Sequence, residues 1–246
     1  MDWGSLAGLA LALAGIVAGQ LLEGGHAGSL LQPAAFLIVA VGTLGAVLLQ
    51  SGWPVFLRAM RMTRHVFVSA PDEHARLASA VMLWCASARR EGLLSLERFC
   101  ERETDLFVRK GLHLIADGAD AERLRMVLEQ DITIYERRER AAVRVWESAG
   151  GYAPTVGILG AVLGLIQVME NLGDPARLGA GIAVAFVATV YGVGLANLVF
   201  LPVAGKLKSL LQTEVGRREL MVDVLCGITS GENSMLIADR LAGWTA

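Results

Sequence analysis

The chain has 246 residues, 54% hydrophobic and 19% charged, with a formal net charge of −2 and a mean hydropathy of +0.51. That is too apolar for an ordinary soluble domain, and it offers no basic surplus for a nucleic-acid partner. Cys85, Cys100 and Cys226 form no CxxC pair and the four histidines are scattered, so no metal site and no cofactor are expected.

Four stretches lack Asp, Glu, Lys, Arg and His: Trp3 to Leu22 (20 residues), Ala27 to Leu57 (31), Ser148 to Met169 (22) and Leu178 to Gly205 (28). Each can cross a hydrocarbon core about 30 Å thick, which takes about 20 apolar residues. One such run would also suit a buried helix of a soluble core. Four in one chain predict an all-α, polytopic membrane protein with four transmembrane helices. The first run reads poorly as a secretory signal and is expected to be a membrane helix, since Met1 and Asp2 supply no basic leader and no small-residue cleavage site stands out before Glu23. The stretch LEGGHAGSLLQP then makes a tight turn, and the second run predicts a working helix over about residues 34 to 53, with Trp53 and Pro54 near the interface.

Sixteen of the 22 Lys and Arg residues lie between Arg58 and Arg144 and five from Lys206 onward, leaving Arg177 alone in a loop on the other side. The positive-inside rule therefore makes the segment after the second run and the C-terminal tail cytoplasmic, with both termini inside. The predicted organisation is spans 1–57, a cytoplasmic helical domain 58–147, spans 148–205 and a cytoplasmic tail 206–246. Arg58, Arg61 and Arg64 line one face of the helix leaving the membrane, either against anionic lipid head groups or as solvated anchors.

From Asp72 to Glu147 the pattern turns charged and helical. Leu77, Val81 and Trp84, then Leu124, Leu128 and Tyr135, recur at helical spacing and predict a compact bundle. The later helix runs without a breaker from Ala121 into the third span, so movement in the membrane would be felt in the cytoplasm. The tail reads as helix to about Leu225, with a less regular end around GITSGENS. No P-loop, GxSxG elbow or HExxH is present, and no nucleophile stands beside a base, so the chain is not read as an enzyme.

The spans themselves hold no Asp, Glu, Lys, Arg or His, the usual markers of an ion pathway, so any titrating carboxylate must come from a partner. Instead they carry small residues in rows: Ala153, Gly157, Ala161 and Gly164 in the third, Ala185, Ala188, Gly192 and Ala196 in the fourth. These rows either pack the two spans together within a subunit or give a smooth surface around an inserted helix. Pro154 and Pro202 break the helix ladders near the cytoplasmic ends and suggest a movable joint. Thr155 and Thr189 either bond their own helix carbonyls or, for Thr189, face water between subunits.

YAPTVGILGAVLGLI at Tyr152 to Ile166, followed by ENLGDPARLGAGIAVAFVATVYGVGLANLVFLPVAGKL, resembles MotA-type flagellar stator proteins, relatives of the TolQ and ExbB membrane motors. The stretch ARREGLLSLER is similar to the MotA segment bearing an arginine and, eight residues later, a glutamate that face the rotor, here Arg89 and Glu97, with Arg90 adjacent. The resemblance covers the chain in order, length and topology. It implies a multi-pass inner-membrane protein forming a homopentamer around two MotB-like, single-span, peptidoglycan-binding subunits. An aspartate of that partner would carry the proton, and the ring would push on the rotor protein FliG. Pro154 and Pro202 match the family's two prolines, and Thr189 its channel threonine. Gly157, Gly164, Ala153 and Gly192 would keep the ring smooth around the partner helix. Sodium-driven relatives carry a threonine seven residues after the third-span proline; here Ala161 stands there, which favours protons. A TolQ- or ExbB-like energiser of outer-membrane processes is the alternative, although those relatives have three spans with the large cytoplasmic domain after the first. A transporter acting alone would need a mid-membrane charge or a broken helix pair.

Overall fold

The computed structural model describes residues 3–22, 24, 27–68 and 74–245. Met1, Asp2, Glu23, His26 and Asp72 lie outside the described residues, as does the side chain of Arg177. Among the described residues every regular element is helical: α1 (Trp3–Leu22), α2 (Pro33–Ser51), α3 (Trp53–Phe67), α4 (His74–Glu91), α5 (Glu97–Cys100), α6 (Leu106–Ala116), α7 (Ala121–Glu170), α8 (Pro175–Leu195), α9 (Leu201–Thr229) and α10 (Ser234–Thr245). Short 3-10 turns cover Ala27–Leu30 and Leu93–Leu96, and a π-helical turn covers Ala196–Phe200. The chain divides into two compact units, Met1–Ser69 with Arg140–Ser209, and Ala70–Glu139 with Leu210–Ala246.

Pro33–Ser51, Ala121–Glu170 and Leu178–Thr229 include stretches long and apolar enough to cross a membrane, and Ala7–Leu22 is apolar but shorter. Proline and glycine place the breaks. Pro33 opens α2 at a position whose N–H would lack a partner in any case. The helix predicted to reach residue 53 stops at Ser51, because Gly52 takes φ 72°, a conformation L side chains avoid, and its N–H closes on the Leu48 carbonyl at 3.0 Å. α3 restarts at once with Pro54 in its first turn. Ala35 and Val39 of α2 pack on Val187 and Ala188 of α8. The Tyr191 hydroxyl donates to the Leu30 carbonyl and accepts from the Gln32 N–H at 3.4 Å, while Phe36 meets the Tyr191 ring edge-on at 5.9 Å. One α8 side chain thus pins the entry of α2.

The second unit has a conventional apolar core. Val81, Trp84, Leu96, Leu112, Ile115, Leu124, Leu128, Met221 and Leu225 are buried in it. Gly111 lets α6 approach so closely that a Cβ there would stand 2.4 Å from Leu225 Cδ1. Asp105 caps α6 by accepting from the Phe107 N–H at 2.9 Å, and Asp120 accepts from the Arg123 N–H at 2.7 Å at the start of α7. The tail is more ordered than its sequence suggests. α9 continues to Thr229, Gly231 turns the chain at φ 71°, and α10 begins just after Asn233, whose side chain accepts from the Met235 N–H at 3.1 Å. Ile237 and Leu241, one turn apart, then bury against the core, which stabilises a helix too short to be secure alone.

Candidate functional site

α7 and α8 meet through glycine and alanine. A Cβ added at Gly157 would lie 2.9 Å from the Ala188 carbonyl oxygen and 3.0 Å from the Gly192 Cα; one at Gly192 would lie 2.6 Å from the Ala153 carbonyl oxygen. One at Gly164 would lie 2.7 Å from the Ala185 nitrogen and 2.8 Å from the Gly181 carbonyl oxygen. Backbone touches backbone here, which only residues lacking bulk permit. Of the two readings of the small-residue rows, packing within the subunit is therefore the one the structure carries. Ala153, Gly157, Gly164 and Gly192 are buried between the helices of one chain. Ala161 sits half-buried at the edge of this seam, and the outward side carries Ile158, Leu159, Val162, Leu163, Phe186 and Val190. Alternating glycine with large aliphatic residues was the signal of this division, since both fall at helical spacing.

Pro154 lies within α7 without ending it, leaving the carbonyl one turn earlier, that of Gly150, without its helical donor. Pro202 is the second residue of α9, one residue beyond the π-helical turn Ala196–Phe200; π turns of this kind recur at functional positions. The two prolines come to neighbouring places. A Cβ at Gly150 would lie 2.5 Å from Leu201 Cδ2, so Leu201, beside Pro202, rests on α7 one turn before Pro154. Trp146, one turn further back, stacks at a tilt on Phe200 with ring centroids 5.8 Å apart and donates its indole N–H to the Ala59 carbonyl at 3.4 Å. Sequence reasoning missed Trp146 and the π turn, because neither has a periodicity of its own. Thr155 and Thr189 donate to their own helix, at the Tyr152 carbonyl (2.8 Å) and the Ala185 carbonyl (3.4 Å); Thr189 is half-buried.

In the second unit Arg89, Arg90 and Glu97 are all exposed and lie along α4, the Leu93–Leu96 turn and the start of α5. Gly92 makes the reversal at φ 83°. Arg89 is not loose: its guanidinium donates to the Glu232 carbonyl at 2.7 Å. Arg98, absent from the sequence-based candidates, braces the same segment by donating to Glu91 at 2.8 Å and to Ser87 Oγ at 2.7 Å. Its pairing spans seven residues across a turn, a separation that no helical spacing rule selects.

A larger ionic cluster lies beside this core. Arg217 donates to Glu214 at 2.9 Å and to Asp105 at 2.6 Å, Arg218 donates to Glu214 at 2.7 Å, and the Arg218 guanidinium sits 3.7 Å from the Tyr135 ring centroid. Burial alone would raise the Asp105 and Glu214 carboxyls, but the hydrogen-bonded Arg217, joined at Glu214 by Arg218, holds both below the ordinary carboxylate range. Tyr135, predicted for the core by its spacing, serves instead as a face for arginine. Burial also raises the thiols of Cys85, Cys100 and Cys226, which disfavours their thiolates. No His, Cys, Asp and Glu cluster suited to a metal ion occurs among the described residues.

The described residues thus define a helical protein with membrane-length helices, two of them packed through glycine, and a charged helical unit. Residues 100–220 match the MotA/TolQ/ExbB proton channel family. The chain is 34% identical to Motility protein A of Bacillus subtilis (strain 168) over 246 aligned positions, covering 98% of this chain and 90% of that one. It is 32% identical to Chemotaxis protein PomA of Vibrio alginolyticus, covering 99% and 95%. Its structure superimposes on the solved C. jejuni MotAB at a TM-score of 0.93, 27% identity and 100% and 96% coverage. On the flagellar MotAB stator complex of Bacillus subtilis the TM-score is 0.86, at 33% identity and 96% and 92% coverage. The chain belongs to the MotA/TolQ/ExbB proton channel family.

Proposed function

We propose that this chain is the stator subunit of a bacterial flagellar motor, working with a MotB-like partner to turn proton flow into torque. The observation that carries this reading is the combination of near full-length similarity to motility proteins with an α7–α8 pair whose apolar stretches, 148–169 and 178–205, contain no Asp, Glu, Lys, Arg or His. A channel wall of that kind needs a carboxylate from elsewhere, and a partner helix supplies it. The similarity to motility proteins and to MotAB complexes also favours the motor over an outer-membrane energiser.

In this reading the chain crosses the bacterial inner membrane four times, at residues 1–57 and 148–205, with 58–147, the tail 206–246 and both termini in the cytoplasm. A pentamer surrounds two single-span, peptidoglycan-anchored helices. The buried seam of Ala153, Gly157, Gly164 and Gly192 keeps α7 and α8 together as a wall with no charged side chain to trap the partner. Ala161 and Thr189, each half-buried, border the path, and Ala161 offers no oxygen with which to strip water from sodium. Pro154 and Pro202, lying close through Gly150 and Leu201, form a hinge at which the ladder already lacks donors. Arg90 and Glu97 meet the charged surface of FliG, steered by a field that salt screens, while Arg89 also holds the turn after α9. No catalytic step is assigned to any residue.

The test is co-expression with a MotB-like protein, native mass spectrometry of the detergent-extracted complex, and restoration of swimming in a strain lacking its own stator. A complex of five copies with two partner chains that restores swimming in sodium-free medium is expected. A chain that assembles without the partner, or a complex that fails to restore swimming, overturns the reading.

A further inference from the structure

The basic helix α3 belongs neither to the channel wall nor to the rotor-facing segment. From Gly24 to Pro71 the sequence contains no Asp or Glu, yet Arg58, Arg61, Arg64 and His65 all fall within α3. The break at Gly52 makes α3 a separate element directly after the membrane-length helix α2. Its inner side is fixed: Ala59 and Val66 are buried, and the Ala59 carbonyl receives the Trp146 indole. At 3.6 residues per turn, Trp53, Arg61 and Arg64 fall within about 80° of arc on the opposite side. All three are exposed, Trp53 to 60%, and the Trp53 ring stacks with Phe56 at 6.4 Å. Among the described residues neither Arg61 nor Arg64 makes a hydrogen bond or ion pair.

We infer that this outer face of α3 is a binding surface for anionic phospholipid, with Arg61 and Arg64 holding phosphodiester head groups and Trp53 and Phe56 seated at head-group depth. The occupant follows from chemistry and continuity. Guanidinium groups match phosphate oxygens in paired hydrogen bonds, and an aromatic pair at the end of a membrane helix suits the interface. An acid-free basic segment is drawn to a negatively charged leaflet. A zwitterionic lipid carries the same phosphate but its own cation, so it should compete poorly. The inference requires only that the chain is membrane-embedded, and it would survive failure of the motor reading.

The full-length chain, purified in neutral detergent, would be mixed with equal amounts of phosphatidylglycerol and phosphatidylcholine, and retained lipids counted by native mass spectrometry. The wild-type chain should retain phosphatidylglycerol several-fold over phosphatidylcholine. The preference should fall close to parity in the Arg61→Gln/Arg64→Gln variant and persist in an Arg102→Gln/Arg123→Gln control. Far-UV circular dichroism and the intact oligomer mass establish that each variant is folded. Parity in the wild type, an unchanged preference in the α3 variant, or an equal loss in the control would each overturn the inference. Displacement of the lipid preference by inorganic phosphate as readily as by phosphatidylglycerol would also overturn it, by assigning the site to free anions.

Discussion

The seam between α7 and α8 and the ionic cluster around Arg217 both hold helices together, by opposite chemistry. The seam has no charge and almost no side chain: its stability comes from backbone atoms in van der Waals contact, because lipid removes the hydrophobic drive that large side chains provide in water. The cluster lies beside a core of large aliphatic residues and closes the helices with charge-assisted hydrogen bonds. The first arrangement is sensitive to volume and indifferent to pH. The second should show the reverse.

The largest expected effect comes from Gly192→Val, which places a carbon 2.6 Å from the Ala153 carbonyl oxygen and 3.0 Å from the Gly157 Cα, both rigid backbone atoms. Folded protein recovered from membranes, followed by detergent-resistant melting, should drop below detection. Gly194→Val, where nothing lies within 4 Å, should be recovered normally. Equal recovery of the two variants would remove close packing as the basis of the seam.

Acid should act on the other region. Asp105 and Glu214 have folded pKa values below their ordinary 3.8 and 4.5, so their contribution is fully present above those values and drains away as pH falls through them. Thermal unfolding of the second unit should hold steady at higher pH and weaken below about pH 4.5, and Arg217→Met should flatten that dependence while lowering stability throughout. A wild-type curve that stays level below pH 3.8 would show the cluster to be unimportant.

Smaller effects separate contact from support at the exposed charges. Glu97→Lys and Arg90→Glu should reduce swimming torque, more at low salt than at high, without changing the melting temperature. Arg89→Ala should reduce both, because it also loses the bond to the Glu232 carbonyl. Identical melting of all three variants would leave Arg89 with no supporting role. Smallest of all is Thr43→Val. Thr43 is fully buried and its hydroxyl has no hydrogen-bond partner among the described residues, so replacing it should leave stability equal or slightly higher. A clear loss in melting temperature would mean that the hydroxyl is satisfied in the membrane.

The membrane-length runs, the small-residue rows, the two prolines and the exposure of Arg89, Arg90 and Glu97 were legible along the chain, because each depends on composition or a fixed local period. The α10 helix was not, since Ile237 and Leu241 hold a helix only once a core is there to bury them. Nor was the role of Tyr135, whose spacing fits a core position while its ring takes up arginine.

By itself, then, the sequence determined that this protein is helical, that its apolar runs carry no acidic or basic side chain, and that positive charge gathers outside them, because hydropathy and charge are properties of single residues and short windows. Tertiary structure alone decided which partner each feature meets. Gly157 touches Gly192, Leu201 brings Pro202 beside the turn before Pro154, and Arg217 gathers Asp105 from far along the chain. Those pairings depend on the approach of distant backbone segments, which no local pattern encodes.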